Sequence, residues 1–335
     1  MAEAIQSRKK EHVEAVLTGG VEAERKTTGF EKVEFEHCCL PELDWKDIDT
    51  TTTFLGRKFD APFIVTGMTG GYPEAERINN DLAAACQAEG VAFGLGSMRA
   101  MVENPALART FDVRQKAPKV FLIGNIGGAQ LKKMELAKLR GALDALKADA
   151  LAVHLNPCHE AAQQGGDLAW KGVLDAVRRT VKECGRPVIA KEVGNGVSAA
   201  VAKKLESAGV AAIDVAGAGG TSWVAVELAR GGKREADVFW DWGIPTATAV
   251  KEVSKAIKIP VVASGGVRSG LDAAKAIRLG ATLAGAAAPF IKAQQKGGEA
   301  GVRAEIRAWK EQLKIAMLCT GSRNLAELRK ARLVE

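Results

Sequence analysis

The chain is poor in aromatic residues, at 5% of 335, with a single tyrosine, Tyr72. That scarcity argues against the aromatic stacking platforms on which single-stranded nucleic acids are held. No apolar run is long enough to span a bilayer, and no secretory leader is recognisable at the start, so a cytoplasmic protein with neither a membrane nor a nucleic-acid partner is expected. The six cysteines (38, 39, 86, 158, 184 and 319) form no C-x-x-C pair, which fits reduced thiols in a reducing compartment better than a disulfide framework. Only four histidines are present, and their spacing matches no zinc motif. No G-x-G-x-x-G follows the first apolar run with an acid at the proper distance, which weakens a nicotinamide-binding Rossmann reading.

Glycine and short apolar runs, by contrast, are plentiful, and their order is regular. Eight such runs recur, five of them ending in Gly, Ser, Thr or Asn: 62–69, 91–97, 120–127, 150–156, 187–193, 212–220, 260–267 and 281–290. They are apolar throughout, as parallel strands covered on both faces should be. Amphipathic stretches of helical length lie between them, over 74–87, 130–148, 173–184, 198–208, 246–257 and 270–279. Eight such units without a compositional break predict an α/β fold, a (β/α)8 TIM barrel over residues 51–335. An open doubly wound sheet is the alternative. Residues 1–50 read as an N-terminal extension: a charged helix from Ser7 to Leu17 stopped by Gly19-Gly20, then a polar, partly β-like stretch.

In a barrel of this kind the active site lies at the C-terminal ends of the strands. Those ends carry Thr66, Met68 and Thr69; Ser97 and Arg99; Asn125; His154, Asn156, His159 and Glu160; Lys191; Thr221; and Ser264 to Arg268. Ser264-Gly265-Gly266-Val267-Arg268 after the seventh run and Ala286-Ala287-Ala288 after the eighth predict a phosphate cradle of backbone N–H groups. The modest net charge of +7 fits phosphorylated ligands. Lys191 reads as a Schiff-base nucleophile, a fixed cation beside an electron-rich ring, or an ion-pair partner of an acid. Its neighbour Glu192 should point the other way. Glu160 reads as a single carboxylate suited to Mg2+, or as a helix-start acid. His154 and His159 can meet across the Pro157 turn, but no third metal ligand is evident. The long connection from Gly219 to Thr246 reads as a lid or a solvated excursion.

Taken in order, the motifs Arg8-Lys9-x-x-His12, Thr66-Gly67-Met68-Thr69-Gly70-Gly71, Gly96-Ser97-Met98-Arg99, His154-Leu155-Asn156-Pro157, Lys191-Glu192-Val193-Gly194, Gly219-Gly220-Thr221-Ser222-Trp223 and Trp242-Gly243-Ile244-Pro245-Thr246 resemble the FMN-dependent type 2 isopentenyl-diphosphate isomerases. The resemblance runs from about Arg8 to Leu328. It implies reduced FMN lined by Thr66, Gly67, Met68, Thr69, Ser97, Asn125, Lys191 and Thr221, with its phosphate on Gly266, Val267, Arg268, Ala287 and Ala288. A prenyl diphosphate would meet Arg8, Lys9, His12, Ser97, Arg99, His154, Asn156 and His159, with Mg2+ on Glu160. His159, His154 and Lys191 would serve the chemistry. NAD(P)H would act only as flavin reductant, and the protein would be a homo-oligomer, a tetramer or an octamer. The chain departs from the family at His159, where a glutamine is usual, and after Gln163, where the usual acidic and arginine residues are missing.

Overall fold

The computed structural model describes the backbone of residues 2–334 and the side chains of residues 7–334. Eight parallel strands close into a barrel: β3 (Phe63–Val65), β4 (Ala92–Gly94), β5 (Leu122–Gly127), β6 (Ala150–His154), β7 (Val188–Lys191), β8 (Ala212–Asp214), β9 (Val261–Ala263) and β10 (Leu283–Ala286), with β10 paired to β3. They are preceded by an antiparallel hairpin, β1 (Thr52–Phe54) and β2 (Arg57–Phe59). The closed, all-parallel ring excludes the open sheet.

Alternation within each strand sorts side chains between two cores. Ile64, Ala92, Ile123, Ala150, Ala152, Ile189, Ala212, Val262 and Leu283 fill the barrel interior. Phe54 and Phe59 of the hairpin join them, edge-on to Phe121 at 6.5 and 5.6 Å between ring centroids. The opposite faces of the strands pack on the surrounding helices.

Those helices are α2 (Ala75–Ala88), α3 (Arg99–Glu103), α4 (Gly128–Leu131), α5 (Leu136–Ala145), α6 (Pro157–Ala162), α7 (Val173–Glu183), α8 (Ala199–Ser207), α9 (Trp223–Ala229), α10 (Thr246–Ala256), α11 (Gly270–Arg278), α12 (Ala288–Cys319) and α13 (Leu325–Leu328); α1 (Ala2–Thr18) precedes them all. Ser198, Ser222, Ser269 and Asn324 cap α8, α9, α11 and α13 by accepting a backbone N–H, the expected use of these side chains at helix starts.

Several expectations are corrected. The helix expected over 130–148 is two, α4 and α5, parted by a turn at residues 132–135 that ends with Glu135 in extended conformation (φ -72°, ψ 113°). The strands are shorter than the apolar runs, since the last residues of each run leave the sheet to line the rim. Residues 21–50 form two short 3-10 turns and isolated bridges rather than strands. The long connection from 219 to 246 is no open excursion: it holds α9 and a 3-10 turn over Arg234–Phe239. α1 does end at Thr18, with Gly19 and Gly20 in the left-handed region at φ 86° and 78°.

α1 lies over the C-terminal rim, against α3, α9 and the start of α12. Val13 and Val16 are its buried anchors. Of the described residues, no helix is long and apolar enough to cross a membrane.

Candidate active site

Above the strand ends lies a cavity of about 680 Å³ walled by Arg8, Lys9 and His12 from α1 and by Gly67, Met68, Ser97, Arg99, Asn125, His154, Asn156, His159, Glu160 and Lys191 from the barrel. A narrower slot of about 100 Å³ is bounded by Thr66, Thr221, Gly266, Arg268, Ala287 and Ala288. The two share Gly67, Met68, Lys191, Val193 and Trp223 as walls. Two residues expected there stand back from both. The Thr69 hydroxyl is buried and spent on the Tyr72 hydroxyl at 3.0 Å, because Gly96 N–H takes the Thr69 carbonyl and draws that turn under the rim. The Val267 side chain is wholly in the core, leaving only its N–H at the loop.

The slot fits a phosphate. Among the described residues, the N–H groups of Gly266, Val267 and Ala287 meet no protein acceptor, and they flank the opening of α12. Arg268 stands at the same loop, paired with Glu22 and donating its N–H to Asp272 at 2.9 Å.

The lysine at the end of β7 faces the shared wall. Lys191 Nζ donates to the Glu192 carbonyl and sits 3.9 Å from Asp214 Oδ2. Asp214 is buried and held by Ser264 Oγ at 2.6 Å. Burial raises its pKa, against the opposing pull of Lys191 and Ser264. Glu192 turns away, as strand alternation requires, and its Oε2 accepts the N–H groups of Val193, Gly194 and Asn195.

His154 closes β6. Asn125 Nδ2 donates to the Leu95 carbonyl at 3.0 Å, so its Oδ1 must accept from His154 Nδ1 at 2.8 Å. The unprotonated Nε2 is left as an acceptor. Burial, then the nearby Lys191, His159 and Lys9, lowers its pKa to about 3, so the ring is neutral at pH 7. Lys9 Nζ donates to the Ser97 carbonyl at 2.5 Å and lies 5.1 Å from the centre of the Phe111 ring. Burial, Arg8 and Arg99 lower its pKa to about 7.

Glu160, on α6, is buried. Its Oε1 accepts from Asn156 Nδ2 at 3.2 Å and its Oε2 from the Asp167 N–H at 2.7 Å. Beside it Asn156 Oδ1 is buried without a donor. A hard oxygen set with an acceptor to spare fits a hydrated Mg2+ that shares phosphate oxygens.

The sequence allowed His154 and His159 to meet across the Pro157 turn; in the structure they take separate partners, Asn125 and Glu227. His159 Nε2 lies 2.8 Å from Oε1 of Glu227, and so does His12 Nε2. Arg230 Nη1 reaches Glu227 Oε2 at 2.8 Å. Burial opposes ionisation of Glu227, but the hydrogen bonds from His12 and His159 outweigh it and hold the acid far below the usual carboxylate range. Burial lowers His12 to about 4, against the pull of Glu227. Trp223 packs on both imidazoles, with centroids at 5.2 and 4.8 Å. Glu227 was missed in the sequence because it lies inside α9, in a stretch read as a loop. The signal available was the helix cap Ser222 followed by an apolar run with one acid in it.

Comparison with known proteins identifies the family. The sequence profile of the FMN-dependent dehydrogenase family matches residues 1–123 and 125–335. The isopentenyl-diphosphate delta-isomerase of Xanthobacter autotrophicus is 49% identical over 96% of this chain and 96% of its own length. That of Pyrococcus furiosus is 46% identical over 98% of this chain and 86% of its own. Among solved structures, a mandelate oxidase with a monooxide FMN adduct superposes with a TM-score of 0.67 at 19% identity, over 96% of this chain and 92% of that one. A flavocytochrome b2 variant reaches 0.71 at 19%, over 99% and 85%. These two speak for the barrel alone. The sequence relatives cover nearly the whole chain and carry the assignment: the chain belongs to the FMN-dependent isopentenyl-diphosphate delta-isomerase family.

Proposed function

We propose that the chain interconverts isopentenyl diphosphate and dimethylallyl diphosphate by moving the double bond one carbon, with reduced FMN and Mg2+ bound and NAD(P)H needed only to reduce the flavin. The observation that carries this is the convergence of Arg8, Lys9, Arg99 and Lys191 with Glu160 in one cavity, next to a slot of unpaired N–H groups. The cations bind a diphosphate, and Glu160 holds Mg2+ against it. Gly266, Val267, Arg268, Ala287 and Ala288 hold the FMN phosphate. FMN, when bound, supplies a reduced ring able to exchange a proton with the substrate without net redox change.

The chain's own groups do the rest. Lys191, oriented by Asp214, places a positive charge beside the reduced ring. Met68 and Trp223 give the hydrocarbon end an apolar wall. Glu227 Oε1 accepts from Nε2 of both His12 and His159, which fixes the two rings at the cavity wall. The arm of residues 1–50 covers the site and excludes water. The protein works as a homo-oligomer in the cytoplasm on a free small molecule.

His159 favours a second reading, an enzyme of the same scaffold acting on another prenyl-type diphosphate or as an FMN oxidoreductase. One experiment separates the two. Reduced, FMN-loaded protein is incubated with Mg2+ and isopentenyl diphosphate, and products are followed by NMR. Dimethylallyl diphosphate should appear while NADPH is consumed only for priming. No interconversion sinks the isomerase reading, and continued NADPH consumption supports the second.

A further inference from the structure

We propose that His12, His159 and Glu227 form a second cation site, for a borderline transition metal ion such as Zn2+, distinct from the carboxylate of Glu160. The three ligand atoms lie within 4.8 Å of one another. They come from α1, α6 and α9, so no local turn imposes the cluster. Two imidazoles on the cavity wall and one buried carboxylate make a donor set that suits Zn2+ and is softer than Mg2+ prefers. Metal–ligand bonds of about 2.0–2.2 Å require ligand atoms about 3.3 Å apart at a tetrahedral centre. Each Nε2–Oε1 pair, now 2.8 Å, would therefore open by about 0.5 Å as the shared proton gives way to the ion. Trp223 holds both ring planes.

The surroundings supply the outer contacts such sites use. Arg230 Nη1 donates to Glu227 Oε2 at 2.8 Å, leaving Oε1 for the ion, and gives up its 3.3 Å contact with His12 Nε2. The Arg230 charge is itself met by Glu11 at 2.8 Å. Arg8, the other nearby cation, faces Glu160 as well as Glu227. His159 must carry its proton on Nδ1 to free Nε2. Asn156 faces that nitrogen at 3.1 Å, and its Oδ1 is buried without a donor. Turning the amide brings Oδ1 to Nδ1–H. The cost is the contact to Glu160 Oε1, while Glu160 Oε2 keeps the Asp167 N–H.

The site rests on the chain's own side chains and stands whether or not the isomerase reading does. The test is calorimetric titration of chelator-treated holoprotein with ZnCl2, with zinc X-ray absorption to count imidazole ligands. One Zn2+ per chain with two imidazoles is expected. His159→Gln and Glu227→Gln should each weaken binding by more than about 100-fold, beyond what loss of an outer-shell partner costs. Glu160→Gln removes no ligand and should change binding by less than about 10-fold, through Asn156 alone. His12→Gln replaces either variant if it fails to bind FMN as the parent does. Absence of binding, unaltered binding in His159→Gln, or loss in Glu160→Gln alone overturns the proposal.

Discussion

Three of the four histidines converge at the strand ends, and for His12 and His154 burial is the largest influence on charge. His154 shows the consequence for stability. Its pKa is about 3 in the folded chain against an ordinary 6.5. At pH 5 the unfolded chain binds a proton at this imidazole and the folded chain does not. Acid therefore favours unfolding, and the stability present above pH 6.5 is lost progressively as pH falls towards 3. At pH 5 the loss from this ring is about 2 kcal/mol. Urea unfolding at pH 7.5 and pH 5 should show the parent losing about that much more than His154→Gln. Equal losses in the two proteins would mean that the ring already carries its proton when folded.

At the scale of elements, the loop after β9 makes a sharp demand. Gly266 has φ 71°, and a Cβ there would lie 2.4 Å from Thr28 Cγ2 and 2.8 Å from the Gly219 carbonyl oxygen. Gly266→Ala should cost about 1–3 kcal/mol from backbone strain alone. It should also weaken FMN, since the same peptide points its N–H into the slot. Thermal melting and flavin fluorescence quenching read the two effects, and an unchanged FMN affinity would remove this loop from the phosphate site. Such a loop is legible in sequence because two adjacent glycines after an apolar run have few other uses. The eight strands were legible for a related reason: burial on both faces writes an uninterrupted apolar run, as at Ala150–Val153. Glu227 was not legible. Its meaning comes from His12 and His159, which lie 215 and 68 positions away, and no local spacing records that meeting. The tie between the Thr69 hydroxyl and Tyr72 was not legible either, since its motif is intact and no local spacing records that bond.

For the whole molecule, the decisive division is between the ring of strands and the arm laid across it. The barrel closes through β3 to β10 without any residue before Phe63. α1 adds Arg8, Lys9 and His12 to the cavity, but to the slot it gives only Val16. Removing residues 1–18 should thus separate the two ligands. Pyrophosphate affinity in the presence of Mg2+ should fall at least about 100-fold, since two cations that meet the anion leave together. It should also become less sensitive to salt. FMN affinity should fall far less, because the N–H groups of Gly266, Val267 and Ala287 remain. Exposing the surface that Val13 and Val16 cover lowers the melting temperature without opening the barrel. Titration calorimetry with pyrophosphate and with FMN on the same truncated protein measures both affinities. A truncated chain that binds pyrophosphate as well as the full one would show that the anion is held by the strand ends alone, with the arm as a cover only.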